Sequence, residues 1–117
     1  MNFIDAQVTA SGLRLSNGVI LPLGDAWATG TAGRVTFGVR PEHLRLSEPG
    51  AGAIPGIVSM VEPTGAETTL MVKTDAGTMT ALLRERASLA PGHAIALTPT
   101  PGCGHLFDER GTWITSV

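Results

Sequence analysis

Few residues in this chain have side chains and spacing suited to chemistry. Cys103 and His105 sit two apart, and His43 and His93 lie far off in sequence. A zinc site would need four such ligands to converge from separate loops. A nucleophilic Cys103 would use His105, its same-face neighbour along a strand, as base, but no third group is placed to orient that imidazole. The structural reading, a thiol beside a packed imidazole, is therefore preferred over both. Glu62 and Glu67 bracket Pro63 and Gly65 in V-E-P-T-G-A-E-T. Catalytic carboxylates want an apolar pocket or a partner that separates their pKa values, and neither is visible. The pair reads as a structured corner for contact with another subunit, against the plainer reading of a turn whose acids face water or meet an Arg. Asp108-Glu109 falls at a hairpin tip, where acids are normally solvated.

Phosphate chemistry is also poorly served. No G-x-x-x-x-G-K-[ST] occurs, and the single Lys, Lys73, follows a β-type run rather than a glycine loop. Gly102-Cys103-Gly104 is followed by Phe107 where a dinucleotide loop has its third glycine, and no helix opens there. Seven Arg and one Lys are scattered in a chain of formal net charge −2. Without a basic stripe, and with five aromatics spread along it, the chain is a poor candidate for nucleic acid. No enzyme activity is expected, and no cofactor or metal.

The elements that hold these residues are strands. Fifteen Gly and eight Pro in 117 residues leave little room for long helices. At 43% hydrophobic residues, a chain of this length buries roughly two-thirds of its extended surface, enough for a core without disulfides. Arg34–Leu46 is the organising stretch. Val35, Phe37 and Val39 alternate with Thr36, Gly38 and Arg40, which predicts a half-buried strand. Pro41 ends it, and Leu44 and Leu46 return apolar side chains to the core after Arg40, Glu42 and His43 turn a corner. In LRLSNGVIL, Asn17-Gly18 predicts a two-residue type I′ turn pairing Leu15 with Ile20 and Leu13 with Pro22, with Pro22 at an edge. Residues 24–33 read as a loop around Trp27, a cover over a barrel end. Ser47–Ala53 reads as a connector. Strands follow at Ile54–Glu62, Thr68–Thr74, Thr78–Leu83 and His93–Leu97, with Gly77 left-handed in a hairpin loop and Ala90-Pro91-Gly92 a tight turn. Arg84–Leu89 is a polar passage of about one helical turn. His105–Phe107 and Thr112–Ile114 form a last hairpin. About nine short strands with regular turn signals predict a mainly β fold of OB-like small barrel type. One domain over 1–117 is expected, with 47–53 the boundary if it divides into two interleaved lobes. No apolar run approaches the ~20 residues of a membrane span, and the N-terminus lacks signal-peptide features.

Four motifs, in order, resemble one family. They are Met1-Asn2-Phe3-Ile4, Gly38–Leu44 (G-V-R-P-E-H-L), Val61–Thr68, and Cys103–Asp108 with Gly111-Thr112. Together they resemble the transport-associated OB (TOBE-type, MOP-like) regulatory domain that closes the ATP-binding subunits of sugar-type ABC importers, the maltose and glycerol-3-phosphate importers among them. The resemblance implies an OB-like fold placed after a nucleotide-binding domain, so an excised domain is expected rather than a stand-alone relative. It implies contacts with that domain, with a second copy across a homodimer, through the parent with membrane subunits, and in some members with a regulatory protein. ATP and Mg belong only to the parent ATPase, and the location implied is cytoplasmic, at the inner face of the plasma membrane. Carried over by motif, Arg40, Glu42, Glu62, Gly65 and Glu67 are the interface and regulatory candidates. Thr64 stands where the family usually has Leu, which leaves the packing of that corner open. The alternative is a small-ligand or oxyanion binder, holding an anion on backbone N–H groups at Gly-rich corners near Arg40 or Arg34.

Overall fold

In the computed structural model, which describes residues 1–22, 33–84 and 88–117, the chain forms two antiparallel sheets. The strands are β1 (Asn2–Thr9), β2 (Gly12–Leu15), β3 (Ile20–Leu21), β4 (Gly33–Val39), β5 (Leu44–Ser47), β6 (Ile54–Thr64), β7 (Glu67–Thr74), β8 (Gly77–Leu83), β9 (Ala94–Pro99), β10 (Gly104–Phe107) and β11 (Trp113–Ser116). The fold is OB-like and all-β. Among the described residues it has eleven strands rather than about nine; Leu44–Ser47, expected only to bring apolar side chains inward, is a strand in its own right, hydrogen-bonded to β9. The loop around Trp27 and most of the Arg84–Leu89 passage lie outside the described residues.

Six strands make one sheet in the order β11-β10-β4-β1-β2-β3, and five make the other in the order β5-β9-β6-β7-β8. The second sheet curls until its outer strands, β5 and β8, approach each other, as in a small partly open barrel. The chain leaves the first sheet at residues 40–43 and returns at 100–103, so the barrel is one continuous insertion between β4 and β10. The two crossings are clasped by a hydrogen bond from the Thr100 N–H to the His43 carbonyl, 2.8 Å. Residues 48–53 join β5 to β6, two strands that both flank β9.

The organising strand behaves as its alternation requires. Val35, Phe37 and Val39 are buried, Arg40 is exposed, and a 3-10 turn at Pro41–His43 leads to buried Leu44. The first hairpin departs from expectation. Asn17 does not take positive φ, whereas Gly18 does, at 88°. Leu15 N–H bonds to Val19 O and Gly18 N–H to Leu15 O, closing a three-residue loop with Gly18 in the left-handed place. Leu13 therefore faces Leu21 and Arg14 faces Ile20. The core decides this register: it buries both Leu13 and Leu21 and leaves Ile20 outside. Pro22 does follow an edge strand. Gly77 has φ 108°, and the His93 N–H to Ala90 O bond closes the Pro91-Gly92 turn.

One side chain ties the sheets together. Asn2 Oδ1 accepts from the Thr80 N–H at 2.8 Å, while its Nδ2 donates to Thr80 O at 2.8 Å and to Val39 O at 3.3 Å. The carboxamide thus pairs with the free edge of β8 as another peptide group would. Asn2→Ala is expected to lose about 1–3 kcal/mol of stability, because Thr80 is left with unpaired backbone groups. Asn2→Asp, which keeps the acceptor but sets a carboxylate against two carbonyls, is expected to be no better. Denaturant unfolding checks both.

Candidate functional site

The hairpin of β6 and β7 carries three of the five candidates. Thr64 lies opposite Glu67, with Gly65 and Ala66 as the two-residue loop. Gly65 has φ 69° and no non-glycine among the described residues has positive φ, so the positive-φ residue is the first central one, as in a type II′ turn. A Cβ at Gly65 would touch nothing within 4 Å. Gly65→Val should therefore cost only the backbone strain, about 1–2 kcal/mol, with no change in the unfolding slope.

Which face the two acids occupy is set by a bulge. Val58 pairs with Val72, but Met60 pairs with Met71, so Ser59 is the extra residue. Its hydroxyl donates to Met71 O at 3.1 Å. Val58 thereby points into the core and Met60 and Glu62 point out; strict alternation would have put all three on one side. Glu62 faces Thr69 and Glu67 faces Thr64, so both carboxylates lie on the same outer face in diagonal positions. On that face Ile57 and Met60 are 45% and 40% exposed, and Met71 is half-buried. An apolar stripe thus leads to an acidic tip, the make-up of an interface with apolar anchors and a polar rim. Thr68, on the inner face, is buried, which fills the core side of the hairpin end.

Arg40 and Glu42 sit elsewhere, on the turn between the sheets. The His43 N–H bonds back to Arg40 O at 2.9 Å, Glu42 is half-buried, and His43 Nδ1 is buried without a hydrogen-bond partner among the described residues. The five candidates are thus two groups on separate elements.

The remaining chemistry-bearing residues hold structure. His105 Nδ1 accepts from the Trp113 indole N–H at 3.3 Å, and His93 Nδ1 accepts from the Ala90 N–H at 3.1 Å. Cys103 is a half-buried free thiol. Asp108 Oδ1 accepts from the Arg110 and Thr112 N–H groups and shapes the last hairpin loop. Among the described residues no three His, Cys, Asp or Glu side chains gather as a metal site. A groove on the outer face of the six-stranded sheet sets Arg14 and Arg34 against Asp5 and Glu109. Its fixed charges balance, which gives an oxyanion little to bind. Another recess, of about 400 Å³, is lined by Leu13, Leu21, Phe37, Pro99, Pro101 and Val117 among others and has no charged side chain in its wall.

Two features escaped sequence reasoning. The Asn2 clamp had only its place in M-N-F-I as a sign. The outward phase of Phe3 was readable from the alternation of Phe3, Asp5 and Gln7 with Ile4, Ala6 and Val8.

Comparison with known proteins accords with this geometry. Residues 37–107 match the sequence profile of the TOBE domain, and residues 1–44 match that of the MalK OB fold domain. The chain is 47% identical over 114 residues to the ABC transporter ATP-binding protein y4oS of Sinorhizobium fredii, covering 94% of this chain and 30% of that protein. It is 31% identical over 110 residues to the sn-glycerol-3-phosphate import ATP-binding protein UgpC of Salmonella typhi, covering 92% of this chain and 31% of that protein. The chain thus spans about a third or less of the length of these relatives. Among solved structures it resembles the cytoplasmic molybdate-binding protein ModG with molybdate bound, at a TM-score of 0.70 and 14% identity, covering 90% of this chain and 94% of that one. Identity that low speaks for the fold alone. No helix among the described residues is long and apolar enough to cross a membrane.

Proposed function

Because the chain belongs to the TOBE domain family, we propose that it is the regulatory and pairing domain of an ABC importer's ATP-binding subunit, of the sugar or glycerol-3-phosphate class. It breaks no bonds itself. ATP and Mg are handled by the nucleotide-binding domain of the subunit, and the solute is chosen by other subunits. The domain works at the inner face of the plasma membrane through that complex.

The observation that carries this reading is the outer face of the β6–β7 hairpin, where Ile57, Met60 and Met71 adjoin Glu62 and Glu67. A face of this kind binds a second copy or a regulatory protein. Held to a second copy, the domain keeps two ATPase domains at high effective concentration when ATP no longer closes them. A regulator that binds it in one state of the cycle shifts the populations of that cycle by its difference in affinity.

Charge reversal tests this. Glu62→Lys with Glu67→Lys lies on an exposed hairpin and is expected to leave the melting transition within about 0.5 kcal/mol of the original. In the importer complex it is expected to weaken pairing or regulator control of ATP hydrolysis at least tenfold. Unchanged pairing and unchanged control in the folded double variant would remove this reading. Glu42 and Arg40, on the separate turn, serve as a comparison pair for the same assay.

A further inference from the structure

Two of the four methionines of this chain stand directly opposite each other on the outer face of the β6–β7 hairpin. Met60 is 40% exposed and Met71 is half-buried. Facing residues of an antiparallel pair hold their Cβ atoms about 4.5–5.5 Å apart, so the two thioethers share one patch of surface. The bulge brings them there. Without the extra residue at Ser59, Met60 would keep the phase of Val58 and turn into the core. The Ser59 hydroxyl donates to the carbonyl of Met71 itself and fixes that phase. The pair sits in the middle of the face, with Ile57 and Lys73 on one side and Glu62 and Thr69 on the other. Nothing in the fold asks for methionine here. Exposed strand positions favour β-branched and aromatic residues, and neither side chain packs into the core. The other two methionines are placed differently. Met79 is 1% exposed, inside the barrel. Met1 is open, but its sulfur rests over Gly38 on the six-stranded sheet, in an exposed face shared with Phe3, Phe107 and Trp113.

We infer that Met60 and Met71 form a reversible oxidation site that switches the hairpin face off. The inference deepens the reading of that face as a docking surface and rests on it. The oxidant is of the peroxide class. The sulfur lone pair attacks one peroxide oxygen and the O–O bond breaks. The proton of the transferred oxygen leaves with the departing hydroxide as water. Sulfur loses two electrons, the peroxide gains them, and methionine sulfoxide results. The sulfoxide oxygen is a polar acceptor, so burying it in the apolar middle of an interface strips it of water without a replacement partner. Oxidation reaches the pair while the face is unoccupied and then keeps a partner from docking. A thiol-dependent methionine sulfoxide reductase restores the thioether, and with it the face.

The full-length ATP-binding subunit, treated with hydrogen peroxide as the free protein and then assembled into the importer complex, tests this. Peptide mass spectrometry is expected to find sulfoxide at Met60 first and at Met71 next, with Met79 spared while the fold is retained. Pairing or regulator control is expected to fall about fivefold as Met60 is oxidised, and to return after reductase treatment. Met60→Leu with Met71→Leu leaves no oxidisable sulfur on the face. Whatever its starting level, its pairing and control are expected to be the same before and after peroxide, although Met1 still oxidises. Met60→Gln, close to the sulfoxide in length and polarity, is expected to show the loss without any oxidant. An equal peroxide response in the double leucine variant, or full pairing and control in Met60→Gln, would overturn the inference. So would a Met60 that oxidises no faster than Met79. The charge-reversed hairpin reports the earlier reading separately. If it disturbs pairing or control while Met60 sulfoxide and Met60→Gln do not, only the oxidation switch is lost.

Discussion

Phe37→Ala is expected to cost about 3–5 kcal/mol, the largest loss from any single side chain in the core. Phe37 is 1% exposed and stands at the centre of β4, with Ile4 opposite on β1 and Leu106 opposite on β10. Its ring lies directly over Gly104, where an added Cβ would come 2.5 Å from one ring carbon and 3.0 Å from another. Truncation leaves a void that no neighbour fills, because the strands on both sides are pinned by their ladders. It also enlarges the recess shared with Leu13, Leu21 and Pro99. With a net stability of about 5–15 kcal/mol for a domain of ordinary kind, such a loss threatens folding at 37 °C. Urea unfolding with an unchanged slope and a lowered midpoint is the expected record. A loss below about 1 kcal/mol would mean that the core does not turn on this ring.

The second large effect is expected from a residue without a side chain. Gly12 opens β2 with φ 134°, and a Cβ there would collide with the backbone carbonyl oxygen of Leu21. Gly12→Ala thus combines an unfavourable backbone conformation, about 1–3 kcal/mol, with a clash that rotamer changes cannot relieve. We expect about 2–4 kcal/mol in all. The damage is directed, since β3 must move away from β2 and the burial of Leu21 against Leu13 is lost. Amide exchange is expected to rise at Leu13 and Leu21 before it rises in the five-stranded barrel. Gly65→Val is the control: left-handed as well, but with open space around it, so a distinctly smaller loss is expected. Equal losses at the two positions would show that the Leu21 contact is not what Gly12 serves.

Much of the fold could be read in advance because local rules and tertiary needs agreed. Val35, Phe37 and Val39 alternate, Pro41 stops the strand, and the core buries the three residues that the alternation selected. The same held at Gly77 and at Pro91-Gly92, where glycine conformation alone specifies the turn. The hairpin at Asn17-Gly18 failed because local preference and core packing pulled apart. The two-residue loop that the dipeptide favours would have turned Ile20 and Pro22 inward; the three-residue loop turns Val19 and Leu21 inward instead and keeps the proline out of the core face. Of the candidate site, the acids Glu62 and Glu67 and the bend between them were legible. Their shared outer face was not, because it hangs on the bulge at Ser59, which no short-range signal marks.

By itself the sequence determined an all-strand OB-like domain of the TOBE family, with neither the glycine loop nor the basic stripe that phosphate or nucleic-acid chemistry needs. Those properties follow from residue types, alternation and motif order, which a linear string records in full. Only the tertiary structure decided that the barrel is inserted between β4 and β10, that Asn2 seals the edge of β8, and that Phe3, Phe107 and Trp113 share one exposed face. Each of these joins residues from 60 to more than 100 positions apart, or depends on which side of a sheet a residue turns. Such pairings are chosen by the competition of many strands for one core, and no local stretch of chain contains that competition.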